Sequence, residues 1–301
     1  MRSESSEGTF SMMEFNEQFP DDAACLEWLK NRLYPDGIFC PKCQKITKHH
    51  RVATRPSYSC QFCGRHEHPM RGTIFEDSAT SLKLWFRAIF LMASTRCGIS
   101  AKQIEREIGV TYKTAWRMFN RIRSLLDETD GPKFGGEVEA DESFYGGKES
   151  NKHKNKRVSN YRMKKTTVAG IVERGGRVQA TVVDIPWKSR LLSPIRTRVL
   201  PRTMIFTDEA NHFRSLRSMG YEHRRVNHSQ GVYVDGDVHV NTLEGFWSLT
   251  KNGIRGVYHN VSAKYLQMYL NEYAFRYNRR KSLGKRNMFD AFVNQIEKKA
   301  S

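Results

Sequence analysis

Two pairs of cysteines, each separated by two residues, constrain the first part of this chain most strongly. Cys40 and Cys43 form one pair, Cys60 and Cys63 form the other, and sixteen residues (44–59) lie between them. A two-residue gap lets both thiolates of a pair reach one tetrahedral ion, and the spacing between the pairs is typical of a four-cysteine zinc ribbon. Few large apolar side chains accompany them, so bound zinc would supply much of the folding free energy. Four unrelated thiols are the alternative interpretation.

The charge of the chain indicates its class of partner. Lys and Arg number 50 against 32 Asp and Glu, which gives a net charge of +18 and a pI of about 9.7. This balance predicts a polyanionic partner, with nucleic acid ahead of a membrane surface and a merely soluble basic protein as the alternative. No apolar run reaches the roughly 18 residues of a membrane span. We therefore expect a cytoplasmic protein, associated with the nucleoid when it is bound to DNA.

The segments around the cysteine pairs are predicted to be a tail and helices. Residues 1–20 are rich in Ser and Glu and are expected to be poorly ordered. A helix is predicted from Asp21 or Asp22, either of which is a suitable N-terminal cap. Cys25 and Cys97 fall inside helical patterns and are predicted to be core thiols.

Residues 76–127 predict a helical domain. After a buried helix near residues 81–92, two short apolar-faced helices are joined by the turn Gly109-Val110-Thr111. This spacing is typical of a helix-turn-helix motif, whose second helix can enter a DNA major groove. An ordinary three-helix bundle with solvated arginines is the alternative. The candidate DNA-binding residues on the second helix are Tyr112, Lys113, Thr114, Arg117 and Arg121.

The stretch 137–148 alternates acidic with apolar residues before two aromatics and a Gly-Gly turn. A period of two predicts a strand, because successive side chains point to opposite faces of a sheet. Several carboxylates on one strand are costly unless a cation neutralises them, since like charges held close resist ionising together. The pattern does not choose Asp141 over Glu139 or Glu142 as the functional carboxylate.

Two acidic residues further along complete a pattern with Asp141. Asp208 follows an apolar run predicted to be a strand, and Glu244 opens a predicted helix that carries Trp247 as a core side chain. Two strand-borne aspartates and a helical glutamate are the carboxylate arrangement of two-metal phosphoryl transfer. Spacing does not choose Asp208 over its neighbour Glu209, and scattered surface acids are the alternative.

The order of elements after the linker 127–136 predicts the fold of the second domain. Three antiparallel strands, then a strand after a helix, then helices, is the order of an RNase H-like α+β domain. The predicted hairpin covers residues 166–185, followed by a helical crossover at 191–200, a strand at 203–207 and helices at 210–219, 243–251 and 262–278. The predicted boundaries are 1–35 for the N-terminal tail and helix, 36–75 for the zinc ribbon, 76–127 for the helix-turn-helix domain, 134–281 for the catalytic domain and 282–301 for a C-terminal tail.

Three segments of the second domain have two interpretations each. The basic residues 151–165 form either a loop that contacts phosphates or a solvated loop. The cluster 276–281 is either a phosphate clamp or a solvated helix end. His239 and Asn241 either orient the helical glutamate or a phosphate, or else Asn241 or Thr242 caps the helix.

Taken together, these motifs resemble the insertion-sequence DDE transposases of the group related to eukaryotic Merlin elements. The resemblance runs from the ribbon to about Arg280, and no single motif would be specific by itself. Besides the ribbon, its carriers are residues 72–75, 99–101, 110–116, 141–142, 146–148, 207–208, 227–229, 239–247 and 276–280.

The resemblance implies an RNase H-like catalytic core in which Asp141, Asp208 and Glu244 form the acidic triad. It also implies terminal inverted repeats and target DNA as partners. Pairing two element ends calls for at least a homodimer, and the lack of a long apolar run predicts no membrane partner. Two Mg²⁺ (or Mn²⁺) ions about 4 Å apart would assist cleavage and strand transfer, Asp141 bridging both ions. A domesticated DNA-binding regulator without catalysis and an RNase H-like nuclease without strand transfer are the competing functions.

Overall fold

The computed structural model of the chain describes residues 10–146, 155, 165–183, 188–226, 239–280 and 288–297. The chain divides into two compact units. Unit 1 comprises Met1–Leu125 and Leu283–Ser301, and unit 2 comprises Leu126–Ser282. Unit 2 is therefore inserted in the chain between two segments of unit 1. Within the described residues, no helix is long and apolar enough to cross a membrane.

Unit 1 combines helices with two small sheets, in which β1 pairs with β2 and β4 lies between β3 and β5. In chain order its elements are α1 (Met12–Gln18), α2 (Asp22–Leu33), β1 (Ile38–Cys40), β2 (Lys45–Thr47), β3 (His49–Val52), β4 (Ser57–Cys60), β5 (His66–Glu67), α3 (Leu82–Ser94), α4 (Ala101–Ile108) and α5 (Tyr112–Ser124). A last helix, α10 (Met288–Val293), follows unit 2 in the chain.

The first helix begins with a capping box. The Ser11 hydroxyl accepts the backbone N–H of Glu14, and the Glu14 carboxylate accepts the backbone N–H of Ser11. The expectation that residues 1–20 are poorly ordered is therefore wrong for residues 12–18, while residues 1–9 lie outside the described part of the chain. Asp21 caps α2, as the sequence predicts.

A cluster of phenylalanines joins both ends of the chain within unit 1. The ring of Phe289, on α10, stacks on Phe10 with centroids 4.9 Å apart and lies 6.1 Å from Phe15 of α1 and 6.2 Å from Phe90 of α3. Phe15, Phe90 and Phe289 are all buried. The segment 282–301, expected to be a tail, thus contributes a helix to the core of unit 1.

The helices α4 and α5 are joined by three residues. Gly109 ends α4 with a φ of 70°, a left-handed conformation that favours glycine, and Thr111 caps α5 by accepting the backbone N–H of Thr114. The apolar faces of both helices are buried through residues such as Ile104 and Phe119.

Unit 2 is built on a five-stranded sheet in the order β10-β9-β6-β7-β8. Four of these strands share one direction, and β7 is antiparallel to both of its neighbours. The elements in chain order are β6 (Glu137–Tyr145), β7 (Thr166–Glu173), β8 (Val178–Val183), α6 (Lys188–Leu191), α7 (Ser193–Arg198), β9 (Met204–Thr207), β10 (Glu222–Arg225), α8 (Asn241–Gly253) and α9 (Ala263–Arg279).

Each face of this sheet has its own apolar core. On one face, side chains of β7 and β8 pack with Phe246 and Trp247 of α8 and Leu270 of α9. On the other, alternate residues of β6 and β7 pack with Ile195 of α7 and with Phe213. Successive residues of β6 therefore face different cores, which decides where its acidic side chains point.

Two segments of unit 2 differ from the prediction. Residues 210–219, predicted to be a helix, form the 3₁₀ turns Asn211–Ser215 and Arg217–Met219. The segment 221–239 contains strand β10, which was not predicted because at this sheet edge only its His223 is buried among charged residues. The motif residues 147–148 and 227–229 and the basic residues 151–164, except 155, lie outside the described residues.

Candidate active site and zinc site

Acidic residues from two neighbouring strands meet at one point of the sheet. The strands β6 and β9 are parallel, with Glu139 paired to Phe206, so the positions two residues further along are Asp141 and Asp208. Glu142 joins them, and one carboxylate oxygen from each of Asp141, Glu142 and Asp208 lies within 4.8 Å of the other two. The structure thus brings two of the three predicted triad residues together and adds Glu142.

The three carboxylates repel one another in partly buried surroundings. Burial, followed by the charges of Glu142 and Asp208, raises the pKa of Asp141 to about 7. Nε2 of His212 lies 3.2 Å from Oε2 of Glu142, yet both atoms are buried and no described residue completes a hydrogen bond to either. Mg²⁺ and Mn²⁺ are oxygen-preferring cations that would relieve this repulsion, so the donor set fits such an ion.

Trp247 connects helix α8 to this group. Its Nε1 donates a hydrogen bond to Oδ2 of Asp141 at 3.0 Å, and its ring is buried, as the sequence predicts. Gly170 pairs with Asp141 across the sheet, and a Cβ at that position would lie 2.4 Å from Cζ2 of Trp247. A glycine inside an apolar strand is the sequence signal of such a close approach.

Glu244 lies outside the three-carboxylate group. It is in the first turn of α8, three residues before Trp247, and its side chain is exposed. Residues three apart share a helix face, so Glu244 lies on the side of α8 that carries Trp247 to Asp141. Lys251, one turn beyond Trp247, is half-buried; burial lowers its pKa and the charge of Asp141 opposes that change.

The N-terminus of helix α8 is capped by a residue of strand β6. The helix begins at Asn241 without a side-chain cap of its own. Instead, Oε2 of the fully buried Glu139 accepts the backbone N–H of Leu243 at 3.0 Å, and Oε1 accepts the hydroxyl of Thr242 at 2.9 Å. The prediction that Asn241 or Thr242 caps the helix is therefore wrong, because β6 supplies the acceptor.

His239 lies beside this cap. Its Nδ1 lies 3.2 Å from Oε1 of Glu139. The same carboxylate oxygen accepts a hydrogen bond from Nε of Arg174, 3.2 Å away. Local sequence patterns do not reveal this group, because its members lie on β6, on the turn after β7 and before α8.

The arginines at the end of α9 are paired within unit 2. Arg276 is buried and its Nη2 lies 2.8 Å from Oε1 of Glu272, while Nη2 of Arg279 lies 2.6 Å from Oε1 of Glu128. Neither the phosphate clamp nor the solvated helix end describes these two arginines. Lys281 lies outside the described residues.

The first turn of α5 carries three of the candidate DNA-binding residues. Tyr112 is 49% exposed and Lys113 is also exposed. Thr114 is half-buried, with its hydroxyl 3.1 Å from that of the capping Thr111. Two of these side chains are therefore open to solvent at the start of the helix.

The arginines further along α5 are engaged within unit 1. Arg117 lies 3.4 Å from two hydroxyl oxygens of the loop 74–80, and Nη1 of Arg121 donates to two backbone oxygens of that loop at 2.9 and 3.0 Å. Arg123 is fully buried, with its guanidinium 3.5 Å from the ring centroid of Phe119. The interpretation of these arginines as solvated is wrong.

The four cysteines of the predicted ribbon converge. The sulfur atoms of Cys40, Cys43, Cys60 and Cys63 all lie within 4.8 Å of one another. The hydroxyl of Thr47 and the backbone N–H groups of Cys63 and Phe62 lower the pKa of Cys60 to about 5, whereas the hydrogen bond with Cys63 raises the pKa of Cys43 to about 12. Four sulfur donors with a stabilised thiolate fit a structural Zn²⁺, which prefers tetrahedral sulfur ligands.

The other two cysteines lie outside this group. Cys25 is buried in α2, and burial raises the pKa of its thiol to about 12, as expected of a core thiol. Cys97 is exposed, and the prediction that it is a core thiol is wrong because α3 ends at Ser94, before its apolar face reaches that position.

Comparison with protein families assigns two regions of the chain to known domains. Residues 20–66 match the transposase zinc-ribbon domain, and residues 133–278 match the ISXO2-like transposase domain. The chain belongs to the family of ISXO2-like transposases. The resemblance to insertion-sequence DDE transposases is thereby confirmed, and membership of this family implies that the chain acts on DNA.

Similar proteins are found in an archaeon and a bacterium. A protein in the transposable element ISH50 of Halobacterium salinarum is 29% identical over 255 residues, which cover 80% of this chain and 85% of that protein. A transposase-like protein of Haemophilus influenzae is 26% identical over 102 residues, covering 34% of this chain and 81% of that protein. No solved structure matches.

Proposed function

We propose that this ISXO2-like transposase binds the terminal inverted repeats of an insertion sequence, cleaves the ends of the element and joins the freed 3′-hydroxyl to target DNA. The observation that carries the proposal is the grouping of Asp141, Glu142 and Asp208 on neighbouring strands of the transposase domain. An RNase H-like fold is supported by the strand order, in which β7 runs against its neighbours and β6 is central.

The chemistry proposed for this site depends on divalent metal. Asp141 and Asp208 would hold Mg²⁺ or Mn²⁺, with Glu142 and Glu244 as the candidates for the remaining carboxylate. Such an ion, when bound, makes an attacking water or hydroxyl oxygen more acidic and stabilises the leaving oxygen. The N–H of Trp247 favours the ionised form of Asp141, because a hydrogen bond to a charged group stabilises that form.

The recognition of DNA is assigned to unit 1. A helix-turn-helix function for α4 and α5 is supported by their three-residue connection and by the exposed Tyr112 and Lys113. Arg117 and Arg121 bind the loop 74–80, so we assign them the role of positioning α5. The zinc-bound ribbon is structural, and joining two element ends calls for at least a homodimer.

The test is a Mg²⁺- or Mn²⁺-dependent assay on labelled element-end DNA. We expect nicking and joining by the wild type, and loss of both in Asp141→Asn, Asp208→Asn and Glu244→Gln with DNA affinity retained. Glu209→Gln is the matched control, because Glu209 follows Asp208 directly and lies outside the three-carboxylate group. It should cleave as the wild type does.

The same assay distinguishes the competing functions. DNA binding without chemistry in the wild type, under every divalent metal, would replace the proposal with a DNA-binding regulator. Cleavage without joining would replace it with a nuclease. Retained activity in Glu244→Gln, together with loss in Glu142→Gln, would show that Glu142 is the third functional carboxylate.

A further inference from the structure

The buried carboxylate of Glu139 joins three segments of unit 2 that are far apart in the chain. Its oxygens accept hydrogen bonds from the backbone N–H of Leu243, from the hydroxyl of Thr242 and from Nε of Arg174. None of the side chain is exposed. A buried carboxylate is tolerated only when hydrogen bonds and opposite charge surround it. Here the guanidinium and the positive end of the α8 dipole both do so.

Arg174 is itself fixed by several contacts. Its guanidinium lies 3.9 Å from the ring centroid of the buried Phe206, and its Nη2 donates to the backbone oxygen of His239 at 3.0 Å. A second carboxylate, that of Glu137, accepts from Nη1 at 3.3 Å. The arginine therefore holds the residues that lead into α8 against β6 and β9.

We propose that Glu139 is a positioning residue for the candidate metal centre. It lies two residues before Asp141 on β6, and it binds the N–H of Leu243, the residue directly before Glu244. One strand thereby carries one triad carboxylate and fixes the helical turn that carries another. This inference rests on the proposed function, because it assigns Glu244 to the same centre as Asp141.

The experiment compares Glu139→Gln with Glu137→Gln in the full chain. Glu137 is on the same strand and also binds Arg174, but its exposed carboxylate makes no hydrogen bond to α8 among the described residues, so it is the matched control. We expect Glu139→Gln to accelerate amide exchange in the peptide containing Leu243 and Glu244. We also expect the Mn²⁺ concentration required for half-maximal binding and for half-maximal cleavage to rise about tenfold or more. Glu137→Gln should match the wild type in both measurements.

A second variant guards against the possibility that Glu139→Gln does not fold. Thr242→Val removes one hydrogen bond to Glu139 while keeping the shape of the side chain, and it should show the same changes to a smaller degree. A readout specific to positioning is the split between kcat and the KM for DNA: kcat should fall while KM is unchanged.

Three results bear on the proposal. Wild-type amide exchange and wild-type Mn²⁺ affinity in Glu139→Gln, with only a lower melting temperature, would overturn it in favour of a purely structural role. If only Thr242→Val folds, the same result in that variant would overturn the proposal. A wild type that cleaves no DNA would end the proposed function instead, and the amide exchange and the Mn²⁺ titration by calorimetry would still decide the role of Glu139.

Discussion

Nε1 of Trp247 donates a hydrogen bond to Oδ2 of Asp141, 3.0 Å away, across 106 residues of sequence. A hydrogen bond to the ionised form lowers the pKa of a carboxyl, so Trp247→Phe should raise the pKa of Asp141 further. We expect the acidic limb of the pH–rate profile of DNA cleavage to move to higher pH. Trp28→Phe, in unit 1, is the matched control, and an unmoved acidic limb in Trp247→Phe would contradict this role of the indole.

The close approach at Gly170 predicts a cost for any side chain there. A Cβ on Gly170 would meet Cζ2 of Trp247 at 2.4 Å, so Gly170→Ala must displace the indole. We expect a loss of about 1–3 kcal/mol in the free energy of unfolding of unit 2, measured by calorimetry. Gly245→Ala is the control, since a Cβ at Gly245 has no described atom within 4 Å. Equal melting temperatures for the two variants would refute the crowding.

The raised pKa of Asp141 predicts how metal-free stability depends on pH. Its folded pKa of about 7 exceeds the usual 3.8, so its contribution is complete below pH 4 and is lost as the pH rises through 7. Without divalent metal, the melting temperature of unit 2 should therefore fall between pH 4 and pH 7. A difference of one between the folded and unfolded pKa of a group corresponds to about 1.4 kcal/mol in the free energy of unfolding.

The control for this pH dependence is Asp141→Asn. The buried His223, whose pKa burial lowers to about 4, acts in the opposite sense, and its contribution is lost as the pH falls from 6.5 through 4. The difference between wild type and Asp141→Asn isolates Asp141 from His223. Added Mn²⁺ should stabilise the wild type more at pH 8 than at pH 5, and equal stabilisation at both values would count against the metal centre.

Removal of zinc should unfold the ribbon. Cys43→Ser should lower the zinc content below one ion per chain, because a four-sulfur site loses a ligand, and should weaken the binding of element-end DNA. Cys97→Ser is the matched control, since Cys97 is exposed and lies outside the four-sulfur group. Metal analysis of both purified variants is the measurement, and a full zinc content in Cys43→Ser would contradict the assignment.

The aromatic contacts of α10 predict that unit 1 needs the end of the chain. Phe289→Ala removes a buried ring that contacts Phe10, Phe15 and Phe90, and such a change costs about 3–5 kcal/mol. The unit 1 transition in calorimetry should move to lower temperature while the unit 2 transition stays. Met13→Ala, at a position 74% exposed on α1, should move neither.

Local patterns predicted those features of the fold that depend on neighbouring residues. The cysteine pairs, the cap at Asp21 and the strand β6 are all recognised within a few positions of the sequence, and each appears in the structure. The choice of Asp141 and Asp208 came from the resemblance to DDE transposases, and the structure places them two residues beyond the paired Glu139 and Phe206 of the adjacent strands β6 and β9.

Contacts between distant segments were not predictable in this way. Glu139 accepts an N–H from a residue 104 positions away, and no periodicity reports which of several acids on a strand faces a helix terminus. The grouping of Glu142 with Asp141 and Asp208 was not predicted, because neighbouring residues of a strand point to opposite faces of the sheet. The edge strand β10 lacked an apolar pattern and was missed for that reason.

The insertion of unit 2 between Leu125 and Leu283 has a consequence for limited proteolysis. A single cut in 281–287 would leave the two units covalently joined at 125–126, and α10 would stay on unit 1 through its packed phenylalanines and the hydrogen bond from Arg32 to the backbone oxygen of Asn294. Two cuts are needed to release unit 2. A protease that cleaves once would therefore produce two bands on a denaturing gel and one undivided particle in solution.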